Sequence, residues 1–305
     1  TKDMTMVGGR GIGKSVICAS LLRRNFEQMP GSNTGLVGPN SKRMFTNIIP
    51  SWDEHLRHWG FKPDVHYTWG KKPPKAWGWK EPIIRPMNWE NTLSFWNGSV
   101  ATIISQDRKG TSNSKSFDFI LIDEAKFIDY NKLKDETLPA NGGIRSYFGH
   151  HSFNHSMMVL SDMPQTTKGS WFLHYEEKMD TELIDTIKGT IYKIWQTKER
   201  IAQLKEQRKS IPSYLPNYLK WLDQSLNKMR SVAVYYKEYS TLENLQLLGE
   251  EYIRQMKRDL TPKTFQTSIL CQKIGISHDG FYSSMQEYHK YDASDFDYLD
   301  SLGND

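Results

Sequence analysis

Apolar positions follow two different rhythms along this chain. Up to about residue 175, short apolar runs of strand length alternate with helical spacing; beyond it, the spacing is helical. Met4-Thr-Met-Val7 is the first short run, and Val16-Ile17-Cys18-Ala19-Ser20-Leu21-Leu22 then propagates as a helix. Thr34-Gly-Leu-Val-Gly38 predicts a second strand, and Pro39-Asn40-Ser41 a capped start for a helix from about Lys42 to Trp59. Thr92-Leu-Ser-Phe-Trp96 and Ser99-Val-Ala-Thr-Ile-Ile104, joined by Asn97-Gly98, predict a hairpin closed by a type I′ turn. Phe119-Ile120-Leu121-Ile122 has no polar interruption, as expected of a central parallel strand buried on both faces. A further strand, Met157-Met-Val-Leu160, ends at Ser161-Asp162.

In the second half, Ile187, Ile191, Ile194, Ile201 and Leu204 fall on a 3–4 spacing within a basic stretch. Pro212 and Pro216 break it, and Leu219, Leu222, Leu226 and Met229 resume it, which predicts two antiparallel helices. Lys198, Arg200, Lys205, Arg208 and Lys209 are either a solvated face or a surface for DNA or a neighbouring subunit. A last helix carries Tyr252, Ile253, Met256 and Leu260, and Thr261-Pro262 reads as a cap followed by a first-turn proline. Between Gly60 and Trp89 the chain is rich in Pro, Gly, Lys and Trp and predicts an irregular excursion. Its Trp69, Trp77 and Trp79 either pin that loop to the core or stack on bases or sugars.

Composition narrows the class. A chain of 305 residues exceeds one average domain, and 37% apolar with 12% aromatic residues can build a large core. No run of about 18 uncharged apolar residues occurs, so no membrane span is indicated. Two cysteines, Cys18 and Cys271, provide neither a disulfide framework nor a zinc spacing, which fits a reducing compartment. A net charge of +5 permits contact with nucleic acid without demonstrating it.

The chemistry concentrates in two places. Gly8-Gly9-Arg10-Gly11-Ile12-Gly13-Lys14-Ser15 satisfies G-x-x-x-x-G-K-[ST] between a predicted strand and a predicted helix. Glycines let successive N–H groups turn inward toward phosphate oxygens, aided by the helix N-terminus. Lys14 would reach the β- and γ-phosphates, and Ser15 would hold Mg²⁺. Asp123-Glu124, at the end of the uninterrupted apolar strand, supplies the other half. Asp123 would bind Mg²⁺ and Glu124 would polarise the attacking water, so the pair points to ATP hydrolysis. Ser161 is either a sensor of the γ-phosphate or a turn serine. His150, His151 and His155 lack the Cys or carboxylate spacing of a metal site.

At this point the residues resemble a family, the large terminase subunit of tailed double-stranded DNA phages in its ATPase domain. The resemblance is carried by Arg10 within the glycine loop, by Asn97-Gly98-Ser99, and by Asp107-Arg108-Lys109-Gly110 ahead of Phe117-Asp118-Phe119-Ile-Leu-Ile-Asp123-Glu124-Ala125. It continues through Ser161, Pro164, Lys168-Gly169 and Trp171-Phe172, and through Leu260-Thr-Pro-Lys-Thr-Phe265 ahead of Phe281-Tyr282. It spans roughly residues 4–175 and 250–285. Ser-Asp-Met-Pro stands where the family more commonly has Ser/Thr-Thr-Pro.

The resemblance implies an α/β, RecA-like P-loop ATPase core with a mainly parallel sheet and a helical insertion or lid. The expected divisions are a core over 1–175, a basic helical hairpin over 176–250, a closing segment over 251–290 and an acidic linker over 291–305. It further implies a homo-oligomeric ring, a pentamer, docked on the portal protein with the small terminase subunit. That ring would drive double-stranded DNA into a procapsid in the host cytoplasm at the expense of ATP, with Mg²⁺. Gly8, Gly9, Arg10, Gly11, Ile12, Gly13, Lys14, Ser15 and Ser161 would line the nucleotide site. Glu124, Lys14, Arg10 and Arg108 would be catalytic, Arg10 within its own subunit and Arg108 toward the neighbour, a role for which Lys109 competes. Neither the family's upstream adenine-binding segment nor its C-terminal nuclease is read in these residues, so the chain is expected to be a piece of a longer protein. The alternatives are a helicase or other nucleic-acid-remodelling ATPase, and an ATP-switched assembly protein with little turnover.

Overall fold

A computed structural model describes residues 2–106 and 115–274, apart from the side chain of Arg145. Arg108 and its neighbours, Phe281-Tyr282 and the acidic tail lie outside the described residues. The strands are β1 (Asp3–Gly8), β2 (Asn33–Gly38), β3 (Tyr67–Trp69), β4 (Thr92–Phe95), β5 (Val100–Ser105), β6 (Phe119–Ile122), β7 (Ser156–Ser161) and β8 (Val234–Tyr239). They form one eight-stranded sheet in the order β3-β4-β5-β2-β6-β7-β1-β8. From β5 to β8 every pairing is parallel, and β3 and β4 add an antiparallel margin. This is the α/β architecture with a mainly parallel sheet, of the RecA-like kind, that the resemblance implies.

Two hydrophobic layers sandwich the sheet, sorted by the period-2 alternation of strand side chains. Phe119 and Leu121 of β6 join Leu36, Met158 and Leu160 on the face covered by α1 (Lys14–Gln28) and the helix Ile49–His58. Ile120 and Ile122 join Val37, Val159 and Phe172 on the other. All four side chains of β6 are fully buried, at about 1.5–3 kcal/mol of hydrophobic stabilisation each. Such a strand tolerates no polar position, which is why its sequence is continuous. At its base, Asp118 accepts from the N–H groups of Asn33 and Ile144, at 2.8 and 2.6 Å. That carboxylate ties β6 to the start of β2.

Three local expectations change. Asn97 does not adopt positive φ; Gly98 alone does, at 87°. The Gly98 N–H donates to the Phe95 carbonyl and the Phe95 N–H to that of Ser99, so the hairpin closes through a longer loop with glycine in the left-handed position. Asn97 is held elsewhere, its amide donating to the Phe26 carbonyl at 2.6 Å. The helix expected over 42–59 contains a π-helical stretch, Met44–Ile48, between Ser41–Arg43 and Ile49–His58. Pro216 is no breaker: it lies in the first turn of the helix Tyr214–Arg230, where its missing N–H would have had no intrahelical acceptor.

The helices Thr181–Glu206 and Tyr214–Arg230 share a cluster of Ile184, Ile187, Ile194, Leu222 and Leu226. Ile191, assigned inward by spacing, is 41% exposed. The basic residues from Lys198 to Lys209 named above are all exposed. The 176–250 region is not helical throughout. After the hairpin the chain re-enters the sheet as β8, which pairs with β1 in register from Asp3–Val234 to Gly8–Tyr239. Among the described residues no helix is long and apolar enough to cross a membrane.

Candidate active site

In parallel α/β sheets, ligands bind at the carboxyl ends of the strands. Here the adjacent ends of β2, β6, β7 and β1 carry, in order, Arg43, Asp123-Glu124, Ser161-Asp162 and the glycine loop. The sheet therefore assembles groups that are more than a hundred residues apart in the chain.

The loop leaves β1 at Gly8 and enters α1 at Lys14, with Gly11 and Gly13 at φ 78° and 91°. The N–H groups of the first turn of α1 have no intrahelical acceptor and are free for an anion. The outside of the loop is fixed by the C-terminal part of the chain. The Gly9 N–H donates to Tyr239 O at 2.9 Å and the Arg10 N–H to Ser268 O at 2.7 Å. Thr241 Oγ1 donates to Arg10 O at 2.8 Å, and Asn244 Nδ2 to Gly11 O at 2.7 Å. Arg10 thus has a pinned backbone and an exposed side chain at the mouth of the loop. The Lys14 ammonium lies along the loop, donating to Gly8 O at 2.7 Å and Gly9 O at 3.1 Å.

Asp123 is 7% exposed, and its Oδ1 accepts from the Glu124 N–H at 2.9 Å. Burial, reinforced by the neighbouring Glu124 charge, pushes its carboxyl up to about 6. The thiol of Cys18, on the first turns of α1, is held well above its ordinary range by burial and by Asp123. Glu124 has φ 57°, a left-handed backbone uncommon outside glycine. Its Oε1 lies 3.4 Å from Arg43 Nη2, and the Arg43 guanidinium stacks 4.4 Å above the Phe127 ring. Its Oε2 is buried and has no hydrogen-bond partner. The chain behind Glu124 is packed tightly: Trp171 Nε1 donates to Ala125 O at 3.1 Å, and a Cβ on Gly169 would meet Lys126 O at 2.6 Å.

Ser161 is buried, and its Oγ accepts from the Lys126 N–H at 3.0 Å. Sequence reasoning does not single out its next neighbour: Asp162 forms ion pairs with Lys14 at 2.6 Å and Lys126 at 2.7 Å. No local spacing signals that contact. Arg43 escapes notice likewise, since an arginine in the first turn of a helix reads as surface charge. The structure brings together the glycine loop, Lys14, Ser15, Asp123, Glu124 and Ser161. Arg108 falls outside the described residues.

A hard cation such as Mg²⁺ takes oxygen ligands and completes its shell with phosphate and water. Ser15 and Asp123 are oxygen donors of the right chemistry, and a buried carboxylate displaced upward toward neutrality is one that a cation would hold ionised. On the far side of β1 from Asp162, a cavity of about 400 Å³ opens beside the loop, lined by Met4, Met6, Ile12, Ile17, Tyr235 and Tyr239, with Glu243 at its edge.

No protein-family model matches the sequence, and no curated protein matches it either. Among solved structures, the large terminase of a thermophilic bacteriophage, in complex with ADP, aligns at TM-score 0.50 and 11% identity. That alignment covers 88% of this chain and 47% of the other, so this chain spans about half the length of that protein. The large terminase ATPase domain of Thermus phage P74-26 aligns at TM-score 0.48 and 12% identity, over 90% of this chain and 89% of that one. At such identities the likeness is one of fold, and the fold is that of the phage large terminases whose motifs the sequence resembles.

Proposed function

We propose that this chain is the ATPase motor domain of a viral large terminase, hydrolysing ATP with Mg²⁺ to move double-stranded DNA through a portal into a procapsid. The observation that carries the proposal is the convergence of the glycine loop and Asp123-Glu124 at the ends of β1 and β6, the two strands that flank β7 in a terminase-like sheet. Loop N–H groups and Lys14 would receive the phosphates, with Arg10 beside them at the mouth. The apolar cavity at Tyr235 and Tyr239 has the size and character to take the base. Ser15 and Asp123 would hold Mg²⁺, which when bound offsets phosphate charge.

Glu124 would accept the proton of the attacking water. Its buried Oε2 makes no hydrogen bond to the described protein groups, and Arg43 holds the other oxygen so that the carboxylate keeps one orientation. The ring of copies, the portal and the small subunit remain partners of this reading, and the exposed basic face from Lys198 to Lys209 is the surface offered for DNA.

Lys14→Ala tests the core of the proposal. Removing the ammonium should weaken ATP binding by at least about tenfold, or ~1.4 kcal/mol, and reduce hydrolysis to background. Titration calorimetry and phosphate release, with DNA present, are the measurements. ATP turnover that persists in Lys14→Ala would sink the proposal. Strand-separating activity on a forked duplex would instead favour a helicase.

A further inference from the structure

The tip of β7 holds a carboxylate that neither nucleotide motif accounts for. Asp162 is 7% exposed, with one oxygen 2.6 Å from Lys14 Nζ and the other 2.7 Å from Lys126 Nζ. Burial works to raise its pKa, but the two ammonium groups prevail and hold it below the ordinary carboxylate value. Lys14 has three N–H donors, and Gly8 O, Gly9 O and Asp162 match them one for one. An incoming phosphate therefore meets a lysine whose donors are all engaged, beside a buried negative charge.

Lys126 ties the same carboxylate to the catalytic segment. It lies two residues after Glu124, and its own N–H is held by Ser161 Oγ at 3.0 Å. The strand end thus grips the chain behind Glu124 by backbone and by side chain. It also grips the phosphate-loop lysine through the carboxylate shared with Lys126.

We infer that Asp162 is a positioning residue that stands in for phosphate on Lys14 in the nucleotide-free protein and links the release of Lys14 to the segment carrying Glu124. The inference rests on the ATPase reading above. A triphosphate, carrying several charges, draws the ammonium off a single carboxylate. Asp162 is then left with Lys126 alone, so the chain behind Glu124 is held differently when phosphate is present and when it is not.

The test measures ATP and ADP binding by titration calorimetry and ATP turnover, using the full chain, Asp162→Asn and Lys126→Met. Asparagine keeps an oxygen for Lys126 but carries no charge to hold Lys14. Asp162→Asn should bind ATP about tenfold more tightly, gain less for ADP, and turn over at least about tenfold more slowly. Lys126→Met leaves Asp162 to Lys14 alone, so ATP binding should weaken while turnover also falls. Opposite shifts in affinity are the signature, because a purely structural cluster would lose affinity in both variants. ATP binding by Asp162→Asn that is no tighter than the parent's, in a variant with the parent's circular dichroism, overturns the inference and leaves the ATPase reading standing. A parent chain that binds no ATP overturns both.

Discussion

Glu124→Gln should bind ATP as well as the parent chain and hydrolyse it about 10²–10⁴-fold more slowly, the range that general-base catalysis contributes. Glutamine preserves the shape of the side chain and an oxygen for Arg43, 3.4 Å away in the parent. It cannot accept the proton of the attacking water. The surfaces proposed to bind ATP, namely the loop N–H groups, Lys14 and the cavity at Tyr239, are untouched by the change. Removing the Glu124 charge also takes away one of the influences that raise Asp123, so the neighbouring carboxyl should ionise more readily. ATP binding should accordingly hold or improve. Single-turnover phosphate release set against equilibrium ATP binding separates the two effects. Undiminished turnover would remove Glu124 as the base.

Gly9→Ala should damage the fold and the site together. A Cβ there would lie 2.7 Å from Ile269 O and 2.9 Å from Thr241 N, and would press on Thr241 Oγ1. Two of these neighbours are backbone and cannot swing aside. The atoms concerned belong to the segment that fixes the loop, through Tyr239 O on the Gly9 N–H and Thr241 Oγ1 on Arg10 O. Overpacking of this kind costs about 1–3 kcal/mol, and a domain this large should lose several degrees of Tm. ATP affinity should fall with it, because the loop must move to relieve the contact. Gly13→Ala is the informative comparison. Nothing lies within 4 Å of its Cβ position, and its penalty comes from φ 91° alone, about 1–2 kcal/mol. Differential scanning calorimetry with and without ATP measures both, and a Gly9→Ala protein melting with the parent would show that the loop's outer wall is soft.

What is legible in the residues is whatever is local. The uninterrupted run at β6, the glycine loop between strand and helix, and the cap at Thr261 each carry their cause within a few positions. Thr261 Oγ1 does accept from the Thr264 N–H, with Pro262 in the first turn. β8 escapes a sequence reading because its residues, Val-Tyr-Tyr-Lys-Glu-Tyr, are those of an edge strand. It carries adjacent charges, Lys237 and Glu238, shows no apolar-polar alternation and follows a long helical pattern, so the helical rhythm of its neighbours dominates. The dipeptide Asn97-Gly98 points to a two-residue turn, but a distant acceptor, Phe26 O, decides where Asn97 lies. The contact of Lys14 with Asp162 and that of Arg43 with Glu124 are set by strand order, which no spacing in the chain encodes.

That edge strand has a mechanical meaning. β8 begins directly after the helical hairpin and ends on Tyr239, whose carbonyl holds the Gly9 N–H. Its six residues span about 20 Å of nearly inextensible backbone, hydrogen-bonded to β1 along the way. A push or pull on the hairpin therefore has a stiff rod along which to travel, with the phosphate loop at its far end. The same rod runs in reverse, so that a loop reshaped by its ligand would nudge the hairpin.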